Sequence, residues 1–130
     1  VFEDGKQTRD FVSVRDIVRS CVLALGKGGA DYEAVNVGTG QPTSILEVAE
    51  VLRKQYGAKV APTVEHKFRA GDVRHCVADI SKARRLLGYA PKVSFEEGMR
   101  ELVAWGKGAS AADSFDKAYE EMRGRGLLEG

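Results

Sequence analysis

Apolar residues recur at three- and four-residue spacing along much of the chain, interrupted by glycine clusters and by short runs in which polar and apolar positions alternate. The first spacing is that of one face of a helix, the second that of a half-buried strand. Ile17, Val18, Cys21, Val22 and Leu25 form the first helical stripe; Asp16 stands in its opening turn, and Gly26, Gly28 and Gly29 stop it. Ser44-x-x-Glu47 is a capping box ahead of Ile45, Val48, Ala49 and Leu52, and Gly57 ends that helix. Asp79 caps a short helix that closes at Leu87-Gly88. Ser94-x-x-Glu97 opens another, with Phe95, Met99, Leu102 and Val103 on one face and Gly106 and Gly108 at its end. After the small-residue linker Ala109-Ser110-Ala111-Ala112, Phe115, Ala118, Tyr119 and Met122 share a face of a last helix, which is expected to pack onto a partner surface.

The extended runs are brief. Val1-Phe2 and residues 8–14 flank Asp4-Gly5, a dipeptide suited to a hairpin turn, and residues 34–37, 63–65 and 76–78 are shorter still. Strands of this length do not make a well-covered parallel sheet by themselves, so part of their pairing is expected to lie in chain outside this sequence. The pattern predicts a small, helix-rich mixed α/β lobe with short strands over residues 1–107. Residues 108–130 follow as a linker and C-terminal amphipathic helix.

Composition narrows the function classes. Twenty basic and nineteen acidic side chains leave a net charge of +1, so no overall field recruits nucleic acid or an anionic membrane, and any anion site must be built locally. No apolar run approaches the roughly 18 residues that span a bilayer, and the start lacks the layout of a signal peptide. Cys21 and Cys76 suggest neither a disulfide framework nor a zinc knuckle; a reducing cytoplasm fits, and each is expected to be a small core residue. His66 and His75 lack a third ligand at short spacing, so no metal site is expected. A chain that opens on Val-Phe without an initiator methionine is expected to be a piece of something longer.

Two segments carry candidate chemistry. Gly38-Thr39-Gly40 stands between a strand and a helix, where a Gly-rich turn can offer amides to a phosphate, but Thr43 occupies the place of the third glycine of a dinucleotide fingerprint. A plain structural turn is the better reading. Residues 7–16 alternate charged and apolar positions, which would let Arg9 and Phe11 face one way and Asp10 and Val12 the other. In Arg69-Ala70-Gly71-Asp72-Val73-Arg74 a guanidinium suited to gripping phosphate oxygens is followed by a glycine that permits close approach. The carboxylate after it can accept from ribose hydroxyls.

Six blocks together resemble a known family. Residues 1–16, Val35-Asn36-Val37-Gly38-Thr39-Gly40, Arg69-x-Gly71-Asp72-Val73-Arg74, Ala78-Asp79-x-Ser81-Lys82-Ala83, Leu87-Gly88-Tyr89-x-Pro91 and Phe95-Glu96-Glu97-Gly98-Met99 stand in the order found in nucleotide-sugar epimerases and dehydratases of the extended short-chain dehydrogenase/reductase family. The similarity runs from Val1 to about Trp105. It implies the C-terminal substrate-binding portion of such an enzyme, with the Rossmann half absent. It also implies that Arg9 and Arg69 contact the diphosphate of the nucleotide sugar, that Asp72 reaches the ribose, and that the backbone around Phe2 touches the base. Asp16 becomes a helix-start residue, and Ser13 stands where the family often has an aromatic.

The resemblance further implies a parent enzyme that is NAD-dependent and homodimeric, with the cofactor held by the missing Rossmann part and none bound by this chain alone. The family's Tyr-x-x-x-Lys pair has no counterpart: four residues after Tyr32, Tyr56, Tyr89 and Tyr119 stand Asn36, Val60, Val93 and Arg123. No catalytic residue is therefore expected in this chain. The leading expectation is a lobe of a UDP- or dTDP-hexose 4-epimerase, toward which Arg74-His75 and the helical tail lean. A 4,6-dehydratase and a non-catalytic sugar-nucleotide-binding or protein-interaction module are the alternatives.

Overall fold

The computed structural model describes residues 1–69, 71–110, 112 and 114–129. In chain order the elements are β1 (Thr8–Arg9), α1 (Val14–Leu25), a single 3-10 turn at Gly28–Ala30, β2 (Thr43–Ser44) and α2 (Ile45–Tyr56). They continue with β3 (Phe68–Arg69), β4 (His75–Cys76), α3 (Ser81–Leu87), α4 (Phe95–Gly108), α5 (Phe115–Gly124) and β5 (Leu128–Glu129). β1 is the middle strand of three. It runs antiparallel to β2, with Thr8 opposite Ser44, and parallel to β4, with Thr8 opposite His75. Its two residues thus tie the start of α2 to the loop that follows β3.

The expected hairpin around Asp4-Gly5 does not form. Glu3 and Gly5, at φ 53° and 73°, turn the chain so that its first residues run beside residues 63–67 instead. The Glu65 and His66 amides donate to the Val1 and Glu3 carbonyls at 2.9 and 3.2 Å, and the Glu3 amide donates to Lys67 O at 2.7 Å. Glycine is required at the bend: a Cβ on Gly5 would lie 2.4 Å from Leu46 Cγ, on a left-handed backbone that side chains avoid. Residues 34–37 and 63–65, expected as strands, do not join a ladder.

Ile80, Ala83, Leu87 and Tyr89 make the core, and Leu23, Ala30, Val35, Val37 and Ala78 pack against it. α1 meets this core on an unexpected side. Its buried residues are Asp16 and Ser20, whereas Val18, Val22 and Leu25 are 57%, 62% and 90% exposed. Cys21 and Cys76 are likewise exposed, not small core residues. The reason is the Asp16 carboxylate, which accepts from the Lys92 and Val93 amides at 3.0 Å and pairs with Arg19 at 2.9 Å. A buried charge with that many partners anchors the polar face inward.

α2 and α4 pack together, burying Met99 and Val103, and Gln55 Nε2 donates to Glu96 O at 3.0 Å across them. The C-terminal segment folds back onto this chain: β5 pairs antiparallel with β3, and Lys67 Nζ reaches Tyr119 Oη on α5 at 2.9 Å. The surface expected to receive the tail is therefore the lobe's own. Among the described residues no helix is long and apolar enough to cross a membrane, and no cluster of three His, Cys, Asp or Glu side chains is placed to hold a metal.

Candidate functional site

β1 delivers Arg9 to the edge of a concavity of about 350 Å3, whose walls include Phe2, Gln7, Ile45, Asp72 and Phe115. The guanidinium is fixed from three directions. Nη1 donates to the carbonyls of Thr8 and Arg74 at 2.9 and 3.2 Å, and Nη2 donates to Asp72 Oδ1 at 2.9 Å. Gln7, only 8% exposed, donates from Nε2 to Phe2 O at 3.0 Å, which fixes the backbone at the pocket's far end of the sequence. The pocket therefore offers the Arg9 guanidinium, the Glu3 and Asp72 carboxylates and two aromatic rings within a single small volume.

Of the residues the sequence singled out, Phe2, Arg9 and Asp72 come together here. The Arg69 backbone lies in β3, opposite Leu128, three positions before Asp72, but its side chain falls outside the described residues. Arg9 and Phe11 do not share a face. β1 is only two residues long, and the Phe11 ring lies tilted against Phe95, with centroids 5.7 Å apart, beside a mostly apolar concavity that also includes Met99 and Leu102. Ser13 has a plain local role: its hydroxyl caps α1 by accepting from the Arg15 amide at 3.3 Å.

The glycine turn is occupied from within. Asp10 accepts from the Thr39 amide and hydroxyl at 2.8 and 2.5 Å, from the Gly40 amide at 2.9 Å and from the Ala78 amide at 3.3 Å. Burial pushes this carboxyl up, but the hydrogen bonds outweigh it and hold the group below the ordinary carboxylate value. A Cβ on Gly38 would lie 2.4 Å from Asp10 Oδ2 and 2.8 Å from Ala78 Cβ, so glycine serves the close approach of these segments. Amides that could receive a cofactor's pyrophosphate are committed to Asp10, and the turn does not fit that group.

Arg74, the second guanidinium of its motif, pairs not with Asp72 but with Glu3, which also lines the pocket, and with Asp4, each at 2.8 Å. Its hydrogen bond, aided by the Lys6 amide, holds the Asp4 carboxyl down at about 2. The pocket walls not singled out from the sequence are Val1, Glu3, Gln7, Ile45 and Phe115. Gln7 adjoins the Thr8-Arg9 block, and its amide pattern gave no separate signal. Phe115 sits in the tail, where its spacing marked only a helix face.

These blocks match known proteins as a set. The family model for GDP-mannose 4,6 dehydratase matches residues 1–102. The chain belongs to this family of nucleotide-sugar epimerases and dehydratases. The dTDP-L-rhamnose 4-epimerase of Burkholderia thailandensis is 41% identical over 105 residues, which are 81% of this chain and 29% of that protein. The UDP-glucose 4-epimerase of Thermotoga maritima, solved with UDP-glucose, superposes with a TM-score of 0.76 at 39% identity, over 82% of this chain and 34% of that one. The UDP-glucuronic acid 4-epimerase of Bacillus cereus, solved with UDP-glucuronic acid and NAD, gives a TM-score of 0.73 at 34% identity, again over 82% and 34%. The chain thus spans about a third of the length of the epimerases it matches. Its small, helix-rich mixed α/β fold is that of the C-terminal part of extended short-chain dehydrogenase/reductase structures.

Proposed function

We propose that this chain is the substrate-binding portion of an NAD-dependent nucleotide-sugar 4-epimerase, and that the pocket beside β1 takes the nucleoside diphosphate of a UDP- or dTDP-hexose. The observation that carries the reading is the convergence of Phe2, Arg9 and Asp72 on one concavity of about 350 Å3. A guanidinium held in place by backbone carbonyls meets a phosphate with little reorganisation, and its hydrogen bonds to an anion are charge-assisted. Arg9 and Arg69 grip the diphosphate in this reading, Asp72 accepts from the ribose hydroxyls, and the backbone at Phe2, held by Gln7, lies against the base.

Positioning is the chemistry such a lobe contributes: it fixes the sugar nucleotide so that a reaction elsewhere proceeds from one geometry. The tyrosine–lysine pair, the NAD site and the homodimer contact belong, on this proposal, to the remaining two-thirds of a cytoplasmic protein of its relatives' length. The test is an amide NMR titration of the 130-residue chain with UDP, dTDP and inorganic pyrophosphate. Shifts are expected at Arg9, Asp72 and the residues around Phe2, and an Arg9→Ala chain should lose them. Saturating nucleotide that leaves these amides unmoved would sink the proposal.

A further inference from the structure

Phe115 belongs to the segment after residue 102, beyond the part that the family model matches, yet it forms a wall of the same pocket as Phe2, Arg9 and Asp72. It is the first residue of α5, and α5 is held against the lobe by contacts of its own. Lys67 Nζ lies 2.9 Å from Tyr119 Oη and 5.2 Å from the centre of that ring, and the Phe115 and Tyr119 rings lie 6.0 Å apart. Downstream, β5 pairs with β3, so the segment is tied down on both sides of α5's last turn. The Glu3 amide donates to Lys67 O at 2.7 Å, so the residue that anchors α5, just before β3, also supports the pocket's N-terminal wall.

We infer that Phe115 is a base-binding residue of this pocket, an aromatic wall supplied by the C-terminal segment against which the nucleobase stacks. The inference rests on the function proposed above and goes further in assigning the base a partner outside the family's shared blocks. Of the parts of a sugar nucleotide, the diphosphate is matched by a guanidinium and the ribose by a carboxylate. The base, a flat π-system with little charge, is matched by the face of a ring. The hexose points toward the reaction, which takes place outside this lobe, so the base is the part left to meet Phe115. Phe115 is 59% exposed and stands outside the cluster of Ile80, Ala83, Leu87 and Tyr89, so its replacement leaves that core intact.

The test compares wild-type, Phe115→Ala and Phe115→Trp chains of 130 residues for binding of UDP and of inorganic pyrophosphate by NMR titration. Loss of one stacking partner lowers affinity by about 10-fold or more. Phe115→Ala is therefore expected to weaken UDP about 10-fold, to leave pyrophosphate unchanged, and to be rescued by the ring of Phe115→Trp. UDP binding that survives Phe115→Ala undiminished overturns this inference alone, because the wild-type binding still supports the proposed function. Equal weakening of UDP and pyrophosphate also overturns it, since the ring then acts on the pocket's shape and not on the base. A wild-type chain that binds neither ligand removes the proposed function, and this assignment with it.

Discussion

Arg9 Nη2 donates to Asp72 Oδ1 at 2.9 Å, so the guanidinium and this carboxylate offset each other's charge. With side chains 27% and 43% exposed, a pair of this kind contributes only about 1 kcal/mol or less. On the proposed function, a diphosphate draws on the guanidinium without a large competing cost, and Asp72 sets how strongly Arg9 attracts it. Asp72→Asn should tighten pyrophosphate several-fold and narrow the margin by which UDP outbinds it, because the ribose loses its carboxylate. Calorimetric titration of both ligands checks this, and an unchanged pyrophosphate affinity would contradict the coupling.

Arg9 itself should be the larger determinant. Hydrogen bonds to a charged group are worth about 1.5–3 kcal/mol, so Arg9→Ala should weaken UDP on the order of 10- to 100-fold. Arg9→Lys should recover only part of that loss, since an ammonium cannot reproduce the forked geometry or the bonds to the Thr8 and Arg74 carbonyls. In an enzyme of its relatives' length, as proposed, Arg69→Ala should raise the Michaelis constant for sugar nucleotide and leave kcat nearly unchanged. Normal kinetics in that variant would remove Arg69 from the phosphate site.

The Asp10 carboxylate should make the fold acid-sensitive. Its folded-state affinity for a proton lies below the ordinary value, so its contribution is fully present above the unfolded pKa of 3.8 and disappears as pH falls through the depressed folded value. Asp10→Ala removes a charged acceptor from the Thr39, Gly40 and Ala78 amides and should cost about 3 kcal/mol at pH 7. Below the folded pKa the two chains should converge. Urea unfolding at a series of pH values measures both effects, and a constant difference down to the acid limit would rule out the ionised carboxylate as the cause.

A second acid-range effect has a different owner. Asp4 is held at about 2 by Arg74 and the Lys6 amide, so its contribution is lost between roughly pH 4 and pH 2. Arg74→Met should return the Asp4 carboxyl toward 3.8, which a carbon-detected NMR titration of that side chain reads directly. Asp4 left near 2 in the variant would assign the shift to the backbone amide instead.

Devices encoded within a few residues were legible from the sequence. The Ser44–Glu47 box forms as read, with the Glu47 amide donating to Ser44 Oγ at 3.2 Å and the Ser44 amide donating to Glu47 Oε2 at 2.7 Å. Gly57 and Gly88 close their helices in the left-handed conformation. The grouping of Phe2, Arg9 and Asp72 came from the resemblance of ordered blocks, since no local rule joins Arg9 to a carboxylate 63 positions on. What stayed hidden depends on distant partners. Asp10 is satisfied by amides 29 to 68 positions away and Asp16 by amides 76 and 77 positions away, so neither revealed itself as an anchor. Phe115 was hidden for the same reason.

α1 shows the limit of periodicity most directly and gives the last prediction. Apolar spacing states which residues share a face; it does not state which face the fold covers. Here the core covers the face of Asp16 and Ser20, and the stripe of Val18, Val22 and Leu25 is open. Val22→Lys should therefore change stability by less than about 0.5 kcal/mol, as surface substitutions do. Asp16→Ala leaves the Lys92 and Val93 amides and the Arg19 guanidinium without their carboxylate and should cost about 3 kcal/mol or more. Urea unfolding of the two variants decides between the faces. A large loss for Val22→Lys with little for Asp16→Ala would mean that the helix is turned the other way in solution.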